Sequence, residues 1–235
     1  NKEMVNKNLQ PQQVGLELGG AAKLTHQVRM RKELANMKKE LHVTVKIDMR
    51  NAFNELSREA TLDAIDADPD FGHMYNFVHL MLHPKAFIVG VDFLSEEGVP
   101  QGDPLSMMLF CMALSKDLKA LDAKLQQVGG AARGGADDVY AMGPPKATLQ
   151  AVAEFKTAVQ RRLKLVMQPK KTEYHAETEE ADAAVKDWLN NDEANKRAKH
   201  ARCKAKALQE ARQCFDSWVQ IEQAEQAATQ AEAQA

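Results

Sequence analysis

The hydrophobic positions of this chain change period several times, and each change marks an element. Val43, Val45 and Ile47 alternate with Thr44 and Lys46. That period of two predicts a half-buried β-strand ending at Asp48. Ahead of it, the helix formers from Ala21 to Leu41 predict one helix, and Leu9 to Gly15 reads as a loop. Behind it, Ser57 is a preferred N-cap residue that opens a helix to about Ile65, with apolar Ala60, Leu62, Ala64 and Ile65. A second helix is expected from about His73 to Leu82, stopped by Pro84. Ala86 to Val91 and Phe93 to Leu94 read as a hairpin. Leu105, Met108, Leu109, Met112, Leu118, Leu121 and Leu125 fall near helical spacing, which predicts a long helix to about Gln127. Pro144-Pro145 opens another, over about Lys146 to Leu163. Leu165 to Met167 and Glu173 to His175 are short strand candidates, and beyond Glu177 the pattern is helical.

The resulting order is β-α-α-β-β-α-β-β-α-β. Hairpins among the interleaved elements exclude a doubly wound parallel sheet. They predict an α+β fold, a mainly antiparallel sheet backed by helices. Glycine and proline divide the chain further: all 12 glycines lie between Gly15 and Gly143, and the last proline is Pro169. A turn-rich part to about Thr172 therefore precedes an Ala/Gln/Glu/Lys-rich helical part.

Composition narrows the function classes. At 235 residues and 44% hydrophobic, the chain can bury a sizeable core. A formal net charge of −2 excludes a uniformly basic protein, so any nucleic-acid contact must use local patches. Three cysteines do not make a disulfide framework, so a reducing, intracellular compartment is expected, with nucleus and cytoplasm both open. No apolar run approaches the roughly 20 residues of a membrane helix, and no membrane partner is expected. The chain starts at Asn1 without Met and reads as a segment cut from something longer.

The candidate chemistry is carboxylate chemistry. Asp48 ends the apolar strand, and Asp137-Asp138 occupies a turn flanked by Gly134 and Gly135. A lone Asp-Asp pair is ordinarily a solvated turn. Joined by a third carboxylate at a strand end, it suits hard divalent cations, which take oxygen ligands and keep positions for phosphates. Two such ions can serve in-line phosphoryl transfer. Gly98-Val99-Pro100-Gln101-Gly102-Asp103-Pro104-Leu105-Ser106 then forms a bent, rigid loop just before the long helix.

Taken together, these segments resemble reverse transcriptases, specifically those of non-LTR (LINE-type) retrotransposons. Ile47-Asp48-Met49-Arg50-Asn51-Ala52-Phe53-Asn54 looks like their first catalytic motif. Gly98 to Ser106 looks like their Gly-x-Pro-Gln-Gly-Asp-Pro-Leu-Ser motif, Ala136-Asp137-Asp138 like the end of their aromatic-Ala-Asp-Asp motif, and Lys170-Lys171-Thr172 like their Lys-Thr motif. Leu9 to Gly15 and Gly20 to Arg29 match the stretch before the first motif, so the resemblance covers about Leu9 to Tyr174. It implies RNA-templated DNA synthesis with an RNA template, a DNA primer and deoxynucleoside triphosphates as partners. Asp48, Asp137 and Asp138 would hold two Mg²⁺, with Mn²⁺ as a substitute and the Met49 carbonyl assisting. Phe53 would exclude a 2′-hydroxyl, Gln101 and Gly102 would line the nucleotide and template pocket, and Lys171 would act on the pyrophosphate leaving group. The implied domains are residual fingers over 1–41, a palm over 42–176 and a divergent helical extension over 177–235.

Three departures keep a second reading open, that of an inactive polymerase-like remnant that at most binds nucleic acid. Gly135 stands where the family carries an aromatic residue. The basic N-terminal fingers are expected to be absent. No glycine follows Gly143, so the Gly-containing primer grip has no counterpart. The basic run from Lys196 to Arg212 reads as a solvated helix pairing with the acidic run before it, with phosphate contact as the alternative.

Overall fold

Four antiparallel strands organise the chain, and their register decides which carboxylates can meet. The structure is a computed structural model and describes residues 7–83, 85–86 and 94–193. Helix α1 spans Gly20–Lys38, followed by strand β1 (Val43–Ile47) and helices α2 (Ala52–Glu55) and α3 (Arg58–Asp66). A 3₁₀ turn (Gly72–Met74) leads into α4 (Tyr75–Leu82), and the short strands β2 (Lys85–Ala86) and β3 (Leu94–Ser95) pair antiparallel. Then come α5 (Ser106–Gln126), the hairpin β4 (Ala131–Gly135) and β5 (Asp138–Gly143), α6 (Pro145–Leu163) and β6 (Glu173–Ala176). The main sheet runs β4-β5-β1-β6. Residues 1–185 form one compact unit and residues 186–235 a second. Of the second unit, the described residues 186–193 are helical, and Lys196 to Arg212 lie outside the described residues.

The alternation expected in β1 is the alternation observed. Val43, Val45 and Ile47 are buried, while Thr44 and Lys46 keep partial access to solvent. The buried stripe of α5 carries the core: Leu109, Phe110, Leu114, Leu118, Leu121 and Leu125 pack against β4, α3 and α6. Ser57 caps α3, its hydroxyl accepting from the Ala60 N–H at 3.3 Å. Helix α1 stops at Lys38, short of the expected Leu41, because Lys39 turns left-handed and its N–H closes onto Ala35 and Asn36.

Two expectations need correction. Leu9 to Gly15 does more than loop: Gln13 bridges Gly134 in parallel, with Val14 N–H to the Gly134 carbonyl at 2.8 Å and Gly134 N–H to the Gln12 carbonyl at 2.7 Å. The segment thus covers the open edge of β4. Leu165 to Met167 is not a strand but a single bridge, Met49 to Met167, because the chain passes the end of β1 and does not run alongside it. The expected hairpin over Ala86 to Leu94 lies mostly outside the described residues.

One buried charge ties these pieces together. Asp122 on α5 is fully buried. Its carboxylate accepts from the Ala132 N–H (2.8 Å), Arg133 Nη1 (2.8 Å), Gln12 Nε2 (2.8 Å) and Gln126 Nε2 (2.7 Å). An ionised carboxylate has about four acceptor positions, and here each meets a donor.

Candidate active site

In the β1–β5 register Ile47 faces Val139, so one step further Asp48 stands across from Asp138. Gly135 pairs with Asp138, which leaves Ala136 and Asp137 as a two-residue hairpin turn. Ala136 is left-handed, with φ 62°, at a turn position usually given to glycine. The fold therefore brings Asp48, Asp137 and Asp138 to one end of the sheet.

Their electrostatics agree with that proximity. Burial raises the proton affinity of the Asp137 carboxyl, and the charges of Asp138 and Asp48 raise it further. Lys46, two residues before Asp48, sets its ammonium 3.4 Å from Asp138. Asp138 is the main cause of an upward shift at Lys46, and Asp48 adds to it. The thiol of Cys111 on α5 is pushed up to about 12 by burial, with the Asp137 charge adding to it. Three mutually repelling oxygen donors with a lysine drawn to one of them are a donor set that fits a hard divalent cation. Among the described residues no three His, Cys, Asp or Glu side chains already stand in a ligating group.

The remaining candidates fall into two groups around this end. The first is the stretch after α6. Gln168 N–H donates to the Asp48 carbonyl at 2.8 Å, the Asp48 N–H reaches the Thr172 hydroxyl at 3.5 Å, and Arg50 N–H donates to the Val166 carbonyl at 2.8 Å. Met49 is buried in this clamp, whereas Lys171 is exposed on it. The second group is Phe53 and the Gly98–Ser106 loop. Phe53 stacks on Phe110 at 4.8 Å between centroids and 25° between planes, so α5 supports its ring. Val99 N–H donates to the Phe53 carbonyl at 2.7 Å. Gly98, at φ 76°, lies so close to Asn54 that a Cβ would sit 2.3 Å from the Asn54 carbonyl oxygen. Gln101 and Gly102 stand exposed in the same loop.

The family model of reverse transcriptase (RNA-dependent DNA polymerase) matches residues 1–217. The chain belongs to the reverse transcriptase family. Among solved structures, the chain is similar to the apo telomerase of Candida tropicalis truncated of its C-terminal domain. The TM-score is 0.58 at 14% identity, over 74% of this chain and 39% of that one. It is equally similar to the telomerase of Candida tropicalis in complex with a TWJ fragment of telomeric RNA, with TM-score 0.58 and 14% identity over 76% and 33%. At such identities the likeness is one of fold. The chain spans about two fifths of the first telomerase chain or less of the second. No curated protein matches the sequence.

Within this reverse transcriptase fold, two features of the site were not legible as such in the sequence. Gln13 is buried, and its side-chain amide grips both backbone groups of Ala136: Nε2 donates to the Ala136 carbonyl at 3.0 Å, and Oε1 accepts from the Ala136 N–H at 2.8 Å. A polar pair, Gln12-Gln13, between Pro11 and Val14 was the available signal. The other feature is Leu24 of α1, which packs against the bare face of Gly135. A Cβ there would lie 2.9 Å from Leu24 Cδ2.

Proposed function

We propose that the chain carries the palm of an RNA-directed DNA polymerase of the non-LTR retrotransposon type. It comprises residual fingers over 1–41, a palm over 42–176 and a divergent helical extension over 177–235. The reaction class is nucleotidyl transfer from a deoxynucleoside triphosphate to the 3′-end of a DNA primer on an RNA template. The observation that carries this reading is the strand register that sets Asp48 across from Asp138 with Asp137 on the same turn.

Asp48, Asp137 and Asp138 would hold two Mg²⁺ or Mn²⁺, with the Met49 backbone carbonyl as a further oxygen. When bound, these ions supply charge neutralisation at the triphosphate and a more acidic primer hydroxyl. The other roles belong to this chain's own residues. Lys46 balances Asp138 while the site is open and would be displaced as cationic charge arrives. Phe53, braced on Phe110, presents a rigid ring whose bulk would exclude a ribose 2′-hydroxyl. Gln101 and Gly102 lie on an exposed loop that hydrogen-bonds to the segment carrying Phe53, a suitable wall for a nucleotide and its template base. Lys171 stands on the stretch clamped to Asp48, and its ammonium would stabilise or protonate the departing pyrophosphate.

The second reading, a non-catalytic remnant, has an observation of its own. Gly135 removes a side chain from the hairpin beside the carboxylates, and Leu24 fills the space. Extension of a DNA primer on an RNA template separates the two readings. Mg²⁺- or Mn²⁺-dependent extension that is lost in Asp137→Ala supports the polymerase. Extension that survives Asp137→Ala removes the site assignment, and no extension in either protein supports the remnant.

A further inference from the structure

Ala136 poses a problem of backbone geometry. It is a non-glycine residue in the left-handed region, at φ 62°, directly before Asp137. Left-handed backbone is disfavoured for a residue with a Cβ. The two peptide groups of Ala136 also have no strand partner, because β4 ends at Gly135 and β5 begins at Asp138. Both are satisfied by one side chain from 123 residues away, Gln13.

Gln13 is itself held on all sides. It is 2% exposed. Its Oε1 accepts a second hydrogen bond from the Gly15 N–H at 3.0 Å, and its own N–H donates to the Leu9 carbonyl at 3.0 Å. The residues on either side are bonded to Gly134, and Gln12 is anchored to Asp122. There is no slack around it: a Cβ on Gly15 would lie 2.5 Å from the Ala136 nitrogen, and one on Gly134 would lie 3.0 Å from Gln13 Nε2. Only a side chain carrying both a donor and an acceptor at this reach can serve both groups of Ala136. Glutamate lacks the donor, and asparagine is one methylene too short.

We infer that Gln13 is a positioning residue of the active site: its buried amide fixes the Ala136–Asp137 turn in the shape that lets Asp137 join Asp48 and Asp138 as a cation ligand. This rests on the cation-holding reading of those three carboxylates. Groups that orient metal ligands from behind typically change metal affinity 10- to 100-fold when removed.

The test measures Mn²⁺ affinity by water proton relaxation, and hydrogen exchange of the Ala136 amide, on the full chain. Gln13→Met removes both hydrogen bonds to Ala136, and the one from the Gly15 N–H, at similar volume. Gln12→Met is the structural control, since it breaks the Asp122 anchor and leaves the Ala136 contacts in place. Gln13→Asn covers the case in which Gln13→Met does not fold. The expected result is Mn²⁺ affinity at least 10-fold weaker in the Gln13 variants, with Ala136 exchange at least 10-fold faster. Gln12→Met is expected to lower the thermal midpoint with affinity within about twofold of wild type. A folded Gln13 variant with wild-type Mn²⁺ affinity overturns the inference, whatever its stability, and so does an unchanged Ala136 exchange rate. If the wild-type chain binds no Mn²⁺, the cation-holding reading itself fails and takes this inference with it, an outcome distinct from wild-type binding that ignores Gln13.

Discussion

Replacing Asp122 with alanine tests how the N-terminal segment is fastened to the β4–β5 hairpin. Asp122 is fully buried, and its two oxygens satisfy four donors on three segments. Alanine leaves the Ala132 N–H without its acceptor inside the core and strips Arg133, whose side chain is only 15% exposed, of its counter-ion. Breaking one partner of a buried ion pair costs about 3–5 kcal/mol, because the other charge stays behind uncompensated. For a chain of this size each kcal/mol moves the thermal midpoint by about 2–4 °C, so a drop on the order of 10 °C is expected. Urea unfolding followed by circular dichroism measures the free energy directly. Adding Arg133→Met removes the stranded charge, and the double variant should recover at least about 1 kcal/mol relative to Asp122→Ala alone. A loss below about 1 kcal/mol in Asp122→Ala, or no recovery in the double variant, would mean that Asp122 does not anchor these segments.

Three further outcomes follow from the site and its surroundings. Gly135→Phe drives a ring into Leu24 Cδ2 and should cost about 1–3 kcal/mol by overpacking, relieved by Leu24→Ala in a double-mutant cycle read by thermal unfolding. Phe53→Val removes the ring stacked on Phe110, so the ratio of ribonucleotide to deoxynucleotide incorporation should rise roughly 10- to 100-fold in a primer-extension assay. The His42 imidazole is held below its ordinary value mainly by burial, so the unfolded chain takes up the proton first. Its contribution to stability is full above about pH 6.5 and is lost as pH falls through the folded value. His42→Gln should flatten that segment of the midpoint-versus-pH curve, and an unchanged slope would remove the assignment.

The sequence carries some of these features openly and hides others for physical reasons. The alternation of Val43, Val45 and Ile47 is legible because one face of β1 is buried and the other is not. The long helix is legible because Leu109, Met112, Leu118, Leu121 and Leu125 fall near helical spacing and face the core. Ser57 announces its helix because a hydroxyl cap is a local interaction. The role of Gln13 has no local signature: its partner is 123 residues away, and a polar residue between Pro11 and Val14 looks like any loop residue. Asp122 is hidden in the same way, as an acidic residue on a helix whose partners include Gln12, 110 residues distant. Met167 failed to extend a strand because β6, not the stretch before it, takes the free edge of β1. A hairpin tip at the Asp-Asp pair is legible, but the turn is Ala136–Asp137, with Asp138 already in β5, and the left-handed Ala136 is hidden because alanine gives no warning of positive φ.

In the proposed function Asp48, Asp137 and Asp138 act as one cation-holding unit. Electron paramagnetic resonance measures Mn²⁺ binding to the wild-type chain and to Asp48→Asn, Asp137→Asn and Asp138→Asn. The expected result is saturable binding in the wild type that each of the three substitutions weakens at least 10-fold. Equal Mn²⁺ binding in the wild type and all three variants would contradict it.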